Sequence, residues 1–246
     1  MDFTYYGDLL GISGLYKLNP SLAKDNLNEF YNTVFKSFGK LAGRDKCEVI
    51  MFSDSLLIYG NNLQEVLEEL GSVYLKLLLK GILLRGAIVY GKLRFEPRFT
   101  VDNSQKMLPD DDTLARVVGL SGTQKGVRLV IESDIAQKLL KNHSDWLTHD
   151  GYLRSVNERV PHTSVLRRVC PTPDNNSYEL LYYWSRDRRS LGSRKSTKQF
   201  KAELEEMQKM LREDISDHYS ETLSLINRSE TRKKYTNKMV KRLRKT

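Results

Sequence analysis

Between Phe3 and Leu93 the hydrophobic pattern alternates between short β-prone runs and two long stretches with apolar residues every three or four positions. A chain with that order has few ways to bury itself: the helical stripes must pack on a sheet built from the short runs. Phe3-Thr4-Tyr5-Tyr6-Gly7-Asp8-Leu9-Leu10 is aromatic and reads as a buried strand ending near Gly11. Asn19-Pro20 predicts a helix start, with Asn as cap and Pro at the first helical position. Leu22, Leu27, Phe30, Tyr31, Val34, Phe35, Phe38 and Leu41 follow at helical spacing as one apolar face. Glu48 to Tyr59 is a pair of apolar runs hinged at Ser53-Asp54, which predicts a tight hairpin. A second amphipathic helix is expected over Leu63 to Lys80, closed by Gly81 at a helix end.

Leu83 to Leu93 is strand again, and 94–111 a polar loop. A short helix near Thr113 to Leu120, a strand at Val127 to Ile131 and a helix from Ser133 to Leu140 complete this part. The order β-α-β-β-α-β with additions predicts an α+β fold of the ferredoxin-like, palm type. Farther on, Tyr178 to Trp184 reads as one more strand and 196–227 as a long helix along Leu204, Leu211, Ile215, Leu223 and Ile226. That helix is expected to pack on the body or on a partner subunit, because its apolar spacing is too irregular for a coiled coil.

Charge is unevenly placed. Residues 228–246 hold nine Lys or Arg and one acid, Glu230, and so carry +8 of the formal net charge of +9. The other 227 residues are nearly neutral, so any electrostatic hold on nucleic acid belongs to the tail. Its single aromatic, Tyr235, makes it poor at stacking on bases. Cys47 and Cys170 are too few for a disulfide scaffold and fit reduced thiols in a cytosol. Asp2 and Asp8 interrupt any secretory leader, and Lys76, Lys80, Arg85 and Lys92 break the most apolar stretch, so no membrane span is expected. His143, His149, His162 and His218 show no metal-ligand spacing and read as surface or loop residues. No Walker loop, Gly-x-Ser-x-Gly or Cys-His arrangement is present.

Asp8 ends the first strand and Asp54 tips the hairpin; in a ferredoxin-like sheet these strands are central neighbours, so the two carboxylates converge. Paired carboxylates invite divalent cations and in-line phosphoryl or nucleotidyl transfer. Gly11-Ile12-Ser13-Gly14 is placed to offer backbone amides to a triphosphate. From spacing alone an ordinary reading stays open, in which Asp8 caps a turn and Asp54 is a plain hairpin residue.

Four segments carry a resemblance. Asp8-Leu9-Leu10-Gly11-Ile12-Ser13 resembles the Asp-Ile-Val-Gly-Phe-Thr segment of class III nucleotide cyclases, the adenylate and guanylate cyclase family. Met51-Phe52-Ser53-Asp54-Ser55 resembles that family's Gly-Asp-Ser hairpin, and Leu84-Arg85-Gly86-Ala87-Ile88-Val89-Tyr90-Gly91 its Arg-Ile-Gly-Ile-His-Thr-Gly strand. Leu114-Ala115-Arg116, followed by Val130-Ile131-Glu132-Ser133-Asp134, is similar to its Ala-Ala-Arg-Leu helix and the strand and helix after it. The resemblance spans 3–140 in order. It implies a homodimer with interfacial sites, where Asp8, Leu9 and Asp54 of one subunit hold two Mg²⁺ or Mn²⁺ and Arg116 of the other steadies the α-phosphate. With the later strand, the long helix and the charged end, the expected division is a cyclase-like catalytic domain over 1–185, a helical extension over 186–227 and the basic tail over 228–246.

Ser53 replaces the family glycine, and Asp112 stands where the family has a ribose-positioning asparagine. The position that reads the base, Lys or Glu in the family, is Ile50. An isoleucine neither donates to nor accepts from a purine edge, and the chain in this respect resembles the pyrimidine cyclases of bacterial antiphage (Pycsar) systems. The resemblance implies a cytoplasmic enzyme that converts UTP or CTP to a 3′,5′-cyclic mononucleotide and pyrophosphate. Two alternatives stay open: a palm-type nucleotidyltransferase making di- or oligonucleotides, although a Gly-Gly-Asp hairpin is absent, and an inactive cyclase-like module that binds nucleotide or nucleic acid.

Overall fold

The computed structural model describes residues 1–96, 108–123, 125–142, 153–155, 177–180, 197–210, 216–224 and 226–227. In chain order the elements are β1 (Phe3–Leu9), α1 (Ile12–Leu18), α2 (Pro20–Ala42), β2 (Cys47–Phe52), β3 (Ser55–Gly60), α3 (Leu63–Leu78) and β4 (Leu84–Tyr90). They continue with β5 (Phe95–Glu96), β6 (Leu108–Pro109), α4 (Thr113–Gly122), β7 (Leu129–Glu132) and α5 (Ser133–Asn142). β8 (Leu153–Ser155), β9 (Ser177–Leu180) and α6 (Thr197–Met210) follow, and 216–224 is helical.

Local chemistry explains the boundaries. The Asn19 side chain accepts from the Leu22 amide at 3.0 Å, with Pro20 opening α2, as Asn-Pro predicts. Past α3, Gly81 takes φ 74° while the Ile82 amide reaches back to the Leu77 carbonyl, a glycine-closed helix end. The expected strand at Val127 starts later, at Leu129, because the Gly126 and Val127 amides donate to His218 Nδ1 and Thr222 Oγ1 instead of to a sheet. The polar loop 94–111 contains the short β5–β6 pair, with Phe95 set edge-on to Tyr59; 97–107 lie outside the described residues.

The sheet runs β2-β3-β1-β4-β7-β9-β8, with β1 antiparallel to both β3 and β4 and β4 parallel to β7. This is the expected βαββαβ core with the later strands β7 and β9 and, not expected, β8; of the strand predicted at Tyr178 to Trp184, residues 181–184 lie outside the described residues. On one face Phe30, Val34 and Phe38 of α2 and Val66, Leu70 and Leu77 of α3 pack on Phe3, Tyr5, Leu56, Ile58 and Ile88. On the other, α4 lays Val117 against Ala87, Val89 and Val130. The apolar stripe of α2 is narrower than its spacing predicts: Phe35 is 77% exposed and Tyr31 and Leu22 are also exposed, while Thr33 and Ser37 are buried. Its buried face follows Phe30, Val34, Phe38 and Leu41, and Phe35 lies off that line.

A single helix over 196–227 is overturned. The Gln208 carboxamide bonds Ser220 Oγ at 2.6 Å, whereas twelve residues of continuous helix would separate them by about 18 Å. Folding back lets Leu204 of α6 and Tyr219 and Ile226 all join the main core, which one straight rod would not allow. No helix among the described residues is long and apolar enough to cross a membrane.

The centre of the sheet is tight. Gly7 and Gly86 are register partners, and the Tyr5 ring lies across them. A Cβ on Gly86 would stand 2.6 Å from a Tyr5 ring carbon and 2.7 Å from the Tyr6 carbonyl oxygen. Gly86→Ala should therefore destabilise the protein by about 1–3 kcal/mol through overpacking. Urea unfolding followed by circular dichroism would measure it; an unchanged midpoint would mean the ring has room to move.

Candidate functional site

Alternation along β1 puts Phe3, Tyr5 and Leu9 toward α2 and α3, and Thr4, Tyr6 and Asp8 on the opposite face. Asp8 lies opposite Ser55 in β3 and Arg85 in β4. The Leu9 amide donates to the Asp54 carbonyl at 3.0 Å, so the hairpin turn sits beside the end of β1. The two aspartates thus meet at one end of adjacent strands, as expected. Ser53 takes φ 54°, the left-handed region that favours glycine, at the position where the resemblance has a glycine.

The two carboxylates have different surroundings. Asp8 is partly buried and receives Arg85, with Nη2 at 3.1 Å from Oδ2 and Nε at 3.4 Å from Oδ1. Asp54 has no ion pair and no side-chain hydrogen bond among the described residues. Gly11, at φ 80°, caps α1 without a side-chain bond. The first-turn amides of Ile12 and Ser13 therefore have no intrahelical partner, and Ser13 is exposed.

Ile50 sits in the edge strand β2, paired with Leu57 and half-buried. Its neighbours Val49 and Met51 pack toward the main core, so Ile50 shares the Asp8 face with Phe52, which is 79% exposed.

Arg116 and Asp112 are elsewhere. Arg116 donates to the Tyr90 carbonyl and to Glu132 Oε1, both at 2.8 Å, and to Asp112 Oδ1 at 3.2 Å. Glu132 also accepts the Tyr90 amide at 2.8 Å. Tyr90 ends β4, five residues and about 17 Å along the strand from the Arg85 that faces Asp8. Within one chain Arg116 therefore does not reach the aspartate pair.

Sequence reasoning missed three residues. Arg85 was visible only as part of a strand motif; its place against Asp8 follows from the antiparallel register that also pairs Gly7 with Gly86. Glu132, three residues into β7, anchors Arg116. His218, expected on a surface or loop, is half-buried on the 216–224 helix, accepts the Gly126 amide at 3.1 Å and feels the charges of Arg85 and Asp8. Burial first, then Arg85 and Lys125, hold its pKa below the ordinary histidine value. The other histidines, Cys170 and the basic tail lie outside the described residues. Cys47 is a buried free thiol whose pKa burial pushes up to about 11.

The donor set suits hard cations. Two carboxylates and the main-chain carbonyl of Leu9 are oxygen ligands of the kind Mg²⁺ and Mn²⁺ take. No group of three or more His, Cys, Asp or Glu among the described residues is placed to hold a metal ion. Two aspartates and one carbonyl thus leave coordination positions that a ligand's own oxygens would have to fill.

The fold that sets these aspartates side by side is that of nucleotide cyclase catalytic domains. The chain is similar to adenylate cyclases from Trypanosoma brucei studied in their monomeric state. One aligns at TM-score 0.53 and 13% identity over 76% of this chain and 90% of that one. A second aligns at TM-score 0.50 and 10% identity over 73% and 88%. No protein-family model matches the sequence, and no curated protein does.

Proposed function

We propose that the protein is a nucleotide cyclase of the class III type, working as a homodimer in the cytosol. The observation that carries the reading is the split of the chemical groups: Asp8 and Asp54 at one end of β1 and β3, Arg116 at the far end of β4. A two-fold pairing that sets the end of β4 of one copy against the end of β1 of the other would bring one copy's arginine to the other copy's aspartates. The adenylate cyclase fold supports the same assignment.

In this reading Asp8, the Leu9 carbonyl and Asp54 would hold the divalent cations that accompany a triphosphate, which would supply charge neutralisation and lower the pKa of the ribose 3′-hydroxyl. The 3′-hydroxyl loses its proton to solvent, its oxygen bonds to the α-phosphorus, the bond to the bridging β-phosphate oxygen breaks and pyrophosphate leaves. Ile12 and Ser13 amides at the Gly11 turn bind phosphate oxygens, and Arg116 of the second copy stabilises charge developing on the α-phosphoryl group. For nucleotide to enter, Arg85 must share Asp8 with a cation. Ile50 offers the base no hydrogen bond, which supports a pyrimidine nucleotide, UTP or CTP, and through it a signalling role in antiphage defence. Asp112 remains the candidate ribose contact. A nucleic-acid role of the basic tail would be additional to catalysis.

A second reading, an inactive nucleotide-binding module, is favoured by the pairing of Asp8 with Arg85 and of Arg116 with Glu132. Incubation with each of the four NTPs and Mn²⁺, with products resolved by mass, separates these readings. Cyclic UMP or cyclic CMP is expected. A purine cyclic nucleotide would discard the argument from Ile50, linear or cyclic dinucleotides would move the protein to palm-type polymerases, and absence of any product would favour the inactive module.

A further inference from the structure

Behind the Gly11 turn, on the face of β1 opposite the Asp8 carboxylate, lies an apolar cavity of about 370 Å³. Ile12 and Leu15 of α1 and Ile82 form its walls, and Leu22, 42% exposed, stands at its mouth. Met207 of α6 and Tyr219 of the 216–224 helix close it from the C-terminal side. Met207 lies against Gly81: a Cβ on that glycine, whose φ is 74°, would stand 2.9 Å from its sulfur. Tyr219 is 4% exposed, and its hydroxyl has no hydrogen-bond partner among the described residues. Asn26, half-buried in the same lining, likewise has no side-chain partner among the described residues. Both side chains carry a polar group that a ligand atom entering the cavity could bond.

We propose that this cavity binds a small, mostly apolar molecule of about two fused rings, bearing one hydroxyl or carbonyl oxygen that accepts from the Tyr219 hydroxyl. Size supports the class: a dry aliphatic cavity of about 150 Å³ already takes up benzene. Binding stands apart from the cyclase reading. Its consequence rests on that reading, because Leu9 to Ile12 form both the cavity wall and the candidate phosphate turn, and an occupant would tie the C-terminal helices to that turn.

The full chain, labelled with ¹³C at methionine methyls and titrated with 2-naphthol, tests binding without any turnover. The Met207 methyl, assigned by Met207→Leu, should shift saturably with a Kd of roughly 0.1–1 mM. Leu22→Trp, which fills the mouth from a half-exposed position, should weaken binding at least about tenfold. Tyr219→Phe should weaken 2-naphthol several-fold and leave naphthalene, which has no oxygen, unchanged. A Met207 methyl that does not respond would mean that the cavity is closed to small molecules or filled by the chain's own side chains, and would overturn the proposal. So would a shift insensitive to both Leu22→Trp and Tyr219→Phe.

Discussion

Asp54→Ala should abolish formation of cyclic nucleotide, by roughly a thousandfold or more, while leaving the melting temperature essentially unchanged. The two halves of this expectation have separate causes. Loss of activity follows from the chemistry: the aspartate pair must supply two oxygen-donor side chains to two cations, and no third acid among the described residues is placed to substitute. Retained stability follows from the surroundings: Asp54 is half-buried at a hairpin tip and holds no ion pair and no side-chain hydrogen bond among the described residues. Asp8→Ala is the instructive contrast. It too should end turnover, but it also strands the Arg85 guanidinium, 19% exposed, and should cost about 1–3 kcal/mol. Mass-resolved product assays beside thermal melts of both variants make the comparison. Product from Asp54→Ala at the wild-type rate would remove Asp54 from the mechanism.

Arg116→Ala should lower turnover by about a hundred- to a thousandfold. It should be rescued in part by a protein that is itself dead. In a mixture of equal amounts of Arg116→Ala and Asp54→Ala, about half the dimers pair one of each. Each of those keeps one intact site, so activity should return to about a quarter of wild type. The prediction depends on the distance within one chain, where Arg116 is held by Tyr90 and Glu132 at the end of β4 remote from Arg85 and Asp8. Mass spectrometry of the intact complex would establish that mixed dimers form. With mixed dimers present and no recovery, the interfacial site would be refuted.

The strand and helix order was legible because each signal was local: Asn19-Pro20 for the start of α2, Ser53-Asp54 for the hairpin, Gly81 for the end of α3. The meeting of Asp8 and Asp54 was legible too, once the order implied that their strands are neighbours. What escaped was set by partners distant in sequence. Arg85 reaches Asp8 only through the β1–β4 register, and nothing near residue 85 announces it. Phe35 looked apolar-faced because helical spacing tolerates a wide stripe, whereas packing against the sheet selected a narrower one and left it exposed. The C-terminal helix was misjudged for a related reason. Its irregular apolar residues belong to two helical segments packed on different parts of the body, and a periodicity count averages over both. His218 acquired its burial from that same fold-back.

The order of strands also bears on how the protein is made. Of the sheet's strands β1 leaves the ribosome before the others, yet it is bordered on one side by β3 and on the other by β4, whose last residue is Tyr90. One edge of β1 gains its mate once Gly60 has followed, but the other stays unpaired until Tyr90, so Phe3, Tyr5 and Leu9 must be kept from wrong partners in the interval. Non-local pairing of this kind is slow and exposes apolar surface while it waits. Of the sheet's strands, the one that carries Asp8 is thus made first and stays open along one edge until β4 follows. Until β4 follows, the aspartate has no Arg85 beside it, so the site is completed only when that strand docks on β1.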